Sequence, residues 1–218
     1  MKFKGAVFDM DGTLLDSMHV WDQIDVDFLA ARGIPLPEDY REAVNKMRSY
    51  DIAVYTIKRF HLKEKPEDLV QEWIDMAIDA YSHTLPLKDG VYEYVSALHD
   101  AGVKMAVATA SDRELVYPAL KRTGILPLMD RVVLANEVKN DKGSPDIYLK
   151  AAADLGVNPA ECVVYEDIIE GIRGANAGGF TTVGICNPGA ERTQEIQTEA
   201  DRCIRSFREL MDDPFYGP

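Results

Sequence analysis

Positive charge is in short supply in this sequence relative to negative. Its 24 Lys and Arg face 37 Asp and Glu, a formal net charge of −13 over 218 residues. Nucleic acids and anionic membrane surfaces are bound through basic patches, so neither is expected as a partner. An anionic small molecule would have to be drawn in by local cations, a metal or helix N-termini. Long apolar runs are also missing. The longest are strand-length, far short of the ~20 residues that span a bilayer. Met1-Lys2-Phe3-Lys4 leads directly into an apolar stretch with no signal-peptide core. Cysteine is scarce: Cys162, Cys186 and Cys203 are an odd set without Cys-x-x-Cys spacing. Buried reduced thiols are therefore expected, rather than metal ligands or a disulfide, in a cytoplasmic protein. No internal repeat or low-complexity tract is present.

What remains is an ordinary globular composition, 46% hydrophobic and 28% charged. The length exceeds the commonest single-domain size of roughly 100–150 residues, so a core with a smaller inserted module is expected. The chain begins with an apolar stretch, Phe3 to Phe8, followed at once by Asp9-Met10-Asp11-Gly12-Thr13. Apolar residues then recur at helical spacing. They predict a helix from Met18 to about Leu29, one over about 38–46, one over about 50–60, and one beginning at Pro66, a good first-turn residue. The aromatic and Met residues of this block, Met18, Trp21, Phe28, Trp73 and Tyr81, are expected in its core. From about residue 85 strands and helices alternate. Strands are predicted at Val103–Ala108, Val132–Ala135, Cys162–Tyr165 and Phe180–Ile185, with a short one at Arg202–Ile204. Helices are predicted at Val91–His99, Arg113–Arg122, Pro145–Leu155 and Ile168–Ala177, with a last one over Phe207–Met211 before the tail frays at Asp212–Pro218.

Alternating units of this kind build a parallel sheet covered by helices on both faces. The expected organisation is a catalytic core of residues 1–16 and 85–218, with an all-helical insert over 17–84 whose two connections act as hinges. In such sheets ligands bind at the carboxyl ends of the strands. There the sequence offers Asp9, Asp11 and Thr13; Thr109 and Ser111; Asn140-Asp141-Lys142; and Glu166-Asp167. Their convergence on one rim fits phosphoryl transfer. Asp9 would attack phosphorus and form an aspartyl-phosphate, with Asp11 as general acid and base. Mg²⁺ favours oxygen ligands, available from Asp9, Asp167 and the backbone carbonyl of Asp11, with Glu166 beside them or bonded through water. Lys142 would neutralise the transferring group. Thr109 and Ser111 both carry a hydroxyl fit for phosphate or for capping the next helix. Lys46 and Arg48 are candidates to meet an anionic substrate from the insert, and the four histidines have no metal-site spacing.

Asp9-Met10-Asp11-Gly12-Thr13, then Thr109, Lys142 and Glu166-Asp167, in that order, resemble the four signature motifs of the haloacid-dehalogenase-like superfamily. The insert resembles its small helical cap, which chooses the substrate, in the subgroup of β-phosphoglucomutase-like and phosphoglycolate-phosphatase-like enzymes. The resemblance implies a Rossmann-like three-layer α/β/α core with a parallel sheet and an inserted cap. It also implies a Mg²⁺-dependent phosphatase or phosphomutase acting on a small phosphorylated metabolite, with Thr109 as phosphate ligand and Ser111 as cap. Departures from the sugar phosphomutases, Trp21 at the gating-histidine position and Lys46-Met47-Arg48-Ser49 in the sugar-reading loop, favour the phosphatase. A dehalogenase would need neither Asp11 nor the metal. A non-catalytic phospho-ligand sensor would not need the complete catalytic set. A monomer is the default expectation.

Overall fold

The computed structural model describes residues 3–44, 47, 49–140, 142–186 and 192–218. Lys46, Arg48 and Asp141 lie outside these described residues. The chain divides into two compact units: Met1–Met18 with Leu85–Pro218, and His19–Thr84.

The first unit is built on six parallel strands, β1 (Gly5–Phe8), β2 (Lys104–Thr109), β3 (Arg131–Leu134), β4 (Cys162–Glu166), β5 (Thr181–Ile185) and β6 (Arg202–Ile204), in the spatial order β3-β2-β1-β4-β5-β6. The strands are short apolar runs because the sheet is covered on both sides, so neither face needs polar residues. Val7, Ala106, Ala108 and Val164 pack towards helix α7 (Asp146–Leu155) through Ile147, Tyr148 and Ala151. On the opposite face Phe8 stacks on Tyr165 at 4.5 Å, and both meet Phe207. Tyr94 of α5 (Val91–Asp100) joins them and shares a 2.6 Å hydrogen bond with the Tyr165 hydroxyl. Helices α6 (Arg113–Arg122) and α8 (Ile169–Ala177) complete the β/α alternation. Registers Phe8↔Val107 and Phe8↔Tyr165 align the carboxyl ends of β2, β1 and β4. After β3 the chain crosses to the other side of β1, so the crevice beside β1 is the switch point where ligands bind in open sheets.

The second unit contains α1 (Val20–Ala30), α2 (Tyr40–Val44), α3 (Ser49–Phe60) and α4 (Pro66–His83). Leu69, Trp73, Ala77 and Tyr81 recur every fourth residue and form the buried stripe of α4. Trp73 meets Phe28 edge-on at 5.3 Å. Arg32 forks onto Glu72 at 2.6 and 3.0 Å while its guanidinium lies 3.8 Å from the centre of the Phe28 ring.

Several expectations are corrected. Met18 and Trp21 are exposed (46% and 51%), unlike Phe28, Trp73 and Tyr81, so they are not part of the insert's core. Cys186 and Cys203 form a disulfide, because β5 and β6 are neighbours and hold their Cα atoms 6.0 Å apart; only Cys162 is a free, buried thiol. The tail does not fray: the Asp213 carboxylate accepts the amides of Phe215 and Tyr216, and the Tyr216 carbonyl accepts the Tyr94 hydroxyl at 2.7 Å. The last helix is a 3₁₀ turn, Phe207–Leu210, and helix α9 (Thr193–Glu199) is an addition to the expected elements.

Candidate active site

Asp9 follows β1 directly, and its amide bonds the carbonyl of Tyr165 on β4 at 2.9 Å, so its position is set by the sheet itself. Glu166 ends β4 and Asp167 comes next. One carboxylate oxygen from each of Asp9, Glu166 and Asp167 lies within 4.8 Å of the others, and all three residues are buried. Lys142, from the loop preceding α7, puts its ammonium between Asp9 Oδ1 and Glu166 Oε1, the latter at 2.6 Å. Glu166 is fully buried, and its carboxylate also accepts the Tyr148 hydroxyl at 2.8 Å and the Asp167 amide at 3.1 Å.

Gly12 turns the chain immediately beyond Asp11, with φ of +77°. A side chain there would be strained, and its Cβ would overlap the Asp167 carboxylate, so glycine is needed for both conformation and space. The Ser17 hydroxyl accepts the Gly12 amide at 3.2 Å. The chain then leaves and returns side by side, with Asp16 N–H donating to the Pro86 carbonyl and Lys88 N–H to that of Leu14, both at 2.9 Å.

Asp11 is placed differently from Asp9. Its carboxylate accepts the Ser111 hydroxyl at 2.6 Å, and the Ser111 amide in turn donates to Thr109 Oγ1 at 3.0 Å. Ser111 is therefore not the cap of α6, whose N-terminal position is held by Asp112. Thr109 is buried at the end of β2. Seven of the sequence-predicted residues thus form two adjacent groups joined through residues 9–11: Asp9, Lys142, Glu166 and Asp167, and Asp11, Ser111 and Thr109; Asn140 instead donates to Asp146 at 2.8 Å. The Asp11 carboxylate is not one of the three clustered groups, but its charge adds to the upward shift of Asp167. Tyr148 is the contact that sequence reasoning missed. Its hydroxyl is the only sign, since periodicity marks it as one more core aromatic.

Burial pushes the Asp9 carboxyl well above the usual range; Lys142 pulls it down, while Glu166 and Asp167 push it further up. Burial and Glu166 raise Asp167 to about 7 against the pull of Lys142. Burial favours a neutral Lys142, yet Asp9 and Glu166 outweigh it and hold the ammonium charged. Three clustered carboxylates, two of them on the Lys142 ammonium, concentrate negative charge in a buried site. Clustered oxygen donors of this kind suit a hard divalent cation.

Residues 3–179 match the sequence profile of the haloacid dehalogenase-like hydrolases. The chain belongs to that family. Among its relatives, hexitol phosphatase B of Escherichia coli (strain K12) is 27% identical over 214 residues, 97% of this chain and 96% of that one. A fructose-1-phosphate phosphatase of the same strain is 31% identical over 188 residues, 84% of this chain and 97% of that one. A solved structure from Thermotoga maritima, provisionally named a β-phosphoglucomutase, shares the hydrolase fold with a TM-score of 0.84 at 23% identity, covering 92% of this chain and 94% of that one.

The helical unit has a pocket of its own, about 320 Å³, lined by apolar Trp21, Ile24, Ile52 and Trp73 with Asp25 and Arg41 among them. Burial raises the Asp25 carboxyl to about 6 despite Arg41. No helix among the described residues is long and apolar enough to cross a membrane.

Proposed function

We propose that this protein is a Mg²⁺-dependent phosphatase that hydrolyses a small sugar or polyol phosphate through an aspartyl-phosphate on Asp9. The observation that carries this reading is the buried ammonium of Lys142 shared between Asp9 and Glu166, with Asp167 completing the acidic cluster. An oxygen of Asp9 attacks phosphorus, the bond to the sugar oxygen breaks, and Asp11 protonates the leaving alkoxide. Asp11 then takes a proton from the water that hydrolyses the aspartyl-phosphate. The Ser111 hydroxyl holds its carboxylate for both steps. Lys142 and Thr109 stabilise the negative charge on the transferring group. Asp9, Asp167 and Glu166, with the Asp11 backbone carbonyl, would hold Mg²⁺. When bound, the ion neutralises phosphate charge and orients the ester for in-line displacement. The helical unit selects the organic part of the substrate, with Trp21, Asp25 and Arg41 of its pocket as the residues to test. We place the enzyme as a monomer without nucleic-acid or membrane partners.

A screen of sugar and polyol phosphates, with EDTA as control, tests this reading. Turnover by the parent should require Mg²⁺, and Asp9→Asn should remove it while the circular-dichroism spectrum stays unchanged. Retained turnover in Asp9→Asn, or turnover indifferent to EDTA, overturns the proposal. Conversion of a hexose 1-phosphate to its 6-phosphate isomer, seen by phosphorus NMR, would assign a mutase instead.

A further inference from the structure

Tyr148 sits on α7 with its ring enclosed by the sheet core and edge-on to Phe180 at 6.3 Å. A phenol hydroxyl buried so deeply must find a partner. It finds Glu166 Oε1 at 2.8 Å, the same oxygen that Lys142 Nζ approaches at 2.6 Å. Glu166 Oε2 accepts the Asp167 amide at 3.1 Å, with the Ile168 amide at 3.4 Å. Behind the carboxylate stands Gly171, where any Cβ would overlap it. Glu166 is therefore held by side-chain donors on one oxygen and backbone donors on the other, in a slot whose back wall has no side chain.

We infer that Tyr148 is a positioning residue for phosphoryl transfer, aiming Lys142 through Glu166. This rests on the phosphatase reading above. A lysine ammonium has three N–H donors. Two are committed, one to Asp9 and one to Glu166. Fixing two directions of a tetrahedral nitrogen fixes the third, so the remaining N–H is aimed by whatever fixes Glu166. The Tyr148 hydroxyl does so in two ways. It anchors Oε1, the oxygen that the backbone amides do not hold, and it takes up part of the charge that would otherwise draw the ammonium away from Asp9. Without that hydroxyl the carboxylate keeps its amides but rotates about them, and the third N–H of Lys142 loses its direction. The loss falls on the transferring group rather than on the bound ester, because charge on the phosphoryl oxygens is redistributed only in the transition state.

Tyr148→Phe keeps the ring and removes only the hydroxyl. With p-nitrophenyl phosphate at saturating Mg²⁺, kcat should fall about tenfold, while KM and the Mg²⁺ half-activation concentration stay within about twofold. Binding of aluminium fluoride, a mimic of the planar transferring group, should weaken in calorimetry by the same factor as kcat. A kcat within twofold of the parent overturns the inference. So does a kcat loss matched by an equal rise in the Mg²⁺ requirement, which would mean that Tyr148 supports the metal cluster. A variant that melts far below the parent, or fails to fold, overturns it too, because the hydroxyl then serves stability. A parent with no Mg²⁺-dependent turnover overturns the phosphatase reading and this inference together. An active parent with an unaffected variant removes this inference alone.

Discussion

Two residues two positions apart on the same loop are put to different uses by their neighbours. Asp9 is buried with Lys142 on one of its oxygens, whereas Asp11 is tied to Ser111. Gly12 makes this divergence possible by turning the chain sharply and leaving room for Asp167. Gly12→Ala should therefore act on chemistry and stability together. Placing a non-glycine residue at positive φ costs about 1–2 kcal/mol, and the overlapping methyl displaces the Asp167 carboxylate. Displacements near 1 Å at a catalytic group reduce rates by about a hundredfold. The expected result is a fall in kcat of that order, a higher Mg²⁺ requirement, and a urea midpoint lowered by the backbone strain alone. Unchanged kinetics would show that the loop re-forms around the methyl. At this scale the sequence was legible where chemistry is unusual. Paired acids, a lysine and a hydroxyl after apolar runs stand out in any reading. Tyr148 could not be read that way, since nothing in Asp146-Ile147-Tyr148-Leu149 distinguishes a tyrosine packed for its ring from one placed for its hydroxyl.

Strands and helices were legible where their cause is local. Short, mostly apolar stretches mark strands of four to six residues, and the buried stripe at every fourth residue marks α4, the longest helix among the described residues. Elements whose stability comes from distant partners were not. The tail looks polar and frayed in sequence, yet it is held by Asp213 and by Tyr94, more than a hundred residues away. Met18 and Trp21 follow helical spacing but lie outside the buried stripe. The disulfide is the clearest case, because the adjacency of β5 and β6 has no signature in cysteine spacing. It also carries a prediction. The bond closes a loop with a sequence separation of 17 and ties the short edge strand to the sheet. Closing a loop near 15 residues stabilises a fold by about 3 kcal/mol. Cys203→Ser should lose about that much in urea unfolding. In the denatured, unreduced parent, thiol titration should count Cys162 alone, and after reduction all three cysteines. Three titratable thiols before reduction would show the pair reduced in solution.

Across the whole molecule the charge deficit and the acidic cluster are parts of one electrostatic problem. A chain with net charge −13 folds three carboxylates into a small buried space with a single lysine. In the metal-free protein the Asp167 carboxyl is raised to about 7, and Asp9 is raised as well, whereas an unfolded aspartate titrates near 3.9. Between those pH values the folded protein holds protons that the unfolded chain releases. The contribution of these two groups to metal-free stability should therefore be largest in acid and decline as pH climbs from about 4 through 7. A divalent cation reverses this by taking the place of the protons, and it competes with them less as pH rises. Ligand at a hundred times its dissociation constant adds about 2.7 kcal/mol. For a chain of this size each kcal/mol moves the melting temperature by roughly 2–4 °C. Saturating Mg²⁺ should thus raise the melting temperature by roughly 5–10 °C at pH 8, and by much less at pH 5. Calorimetry of the EDTA-treated protein at both values, with and without Mg²⁺, checks this without any turnover. Asp25, raised to about 6 in the helical unit, adds a pH dependence of the same sign, but it is not one of the clustered carboxylates, so that part should persist when Mg²⁺ is present. An equal Mg²⁺ shift at pH 5 and pH 8 would mean that the ion binds surface acids rather than the cluster at the ends of β1 and β4.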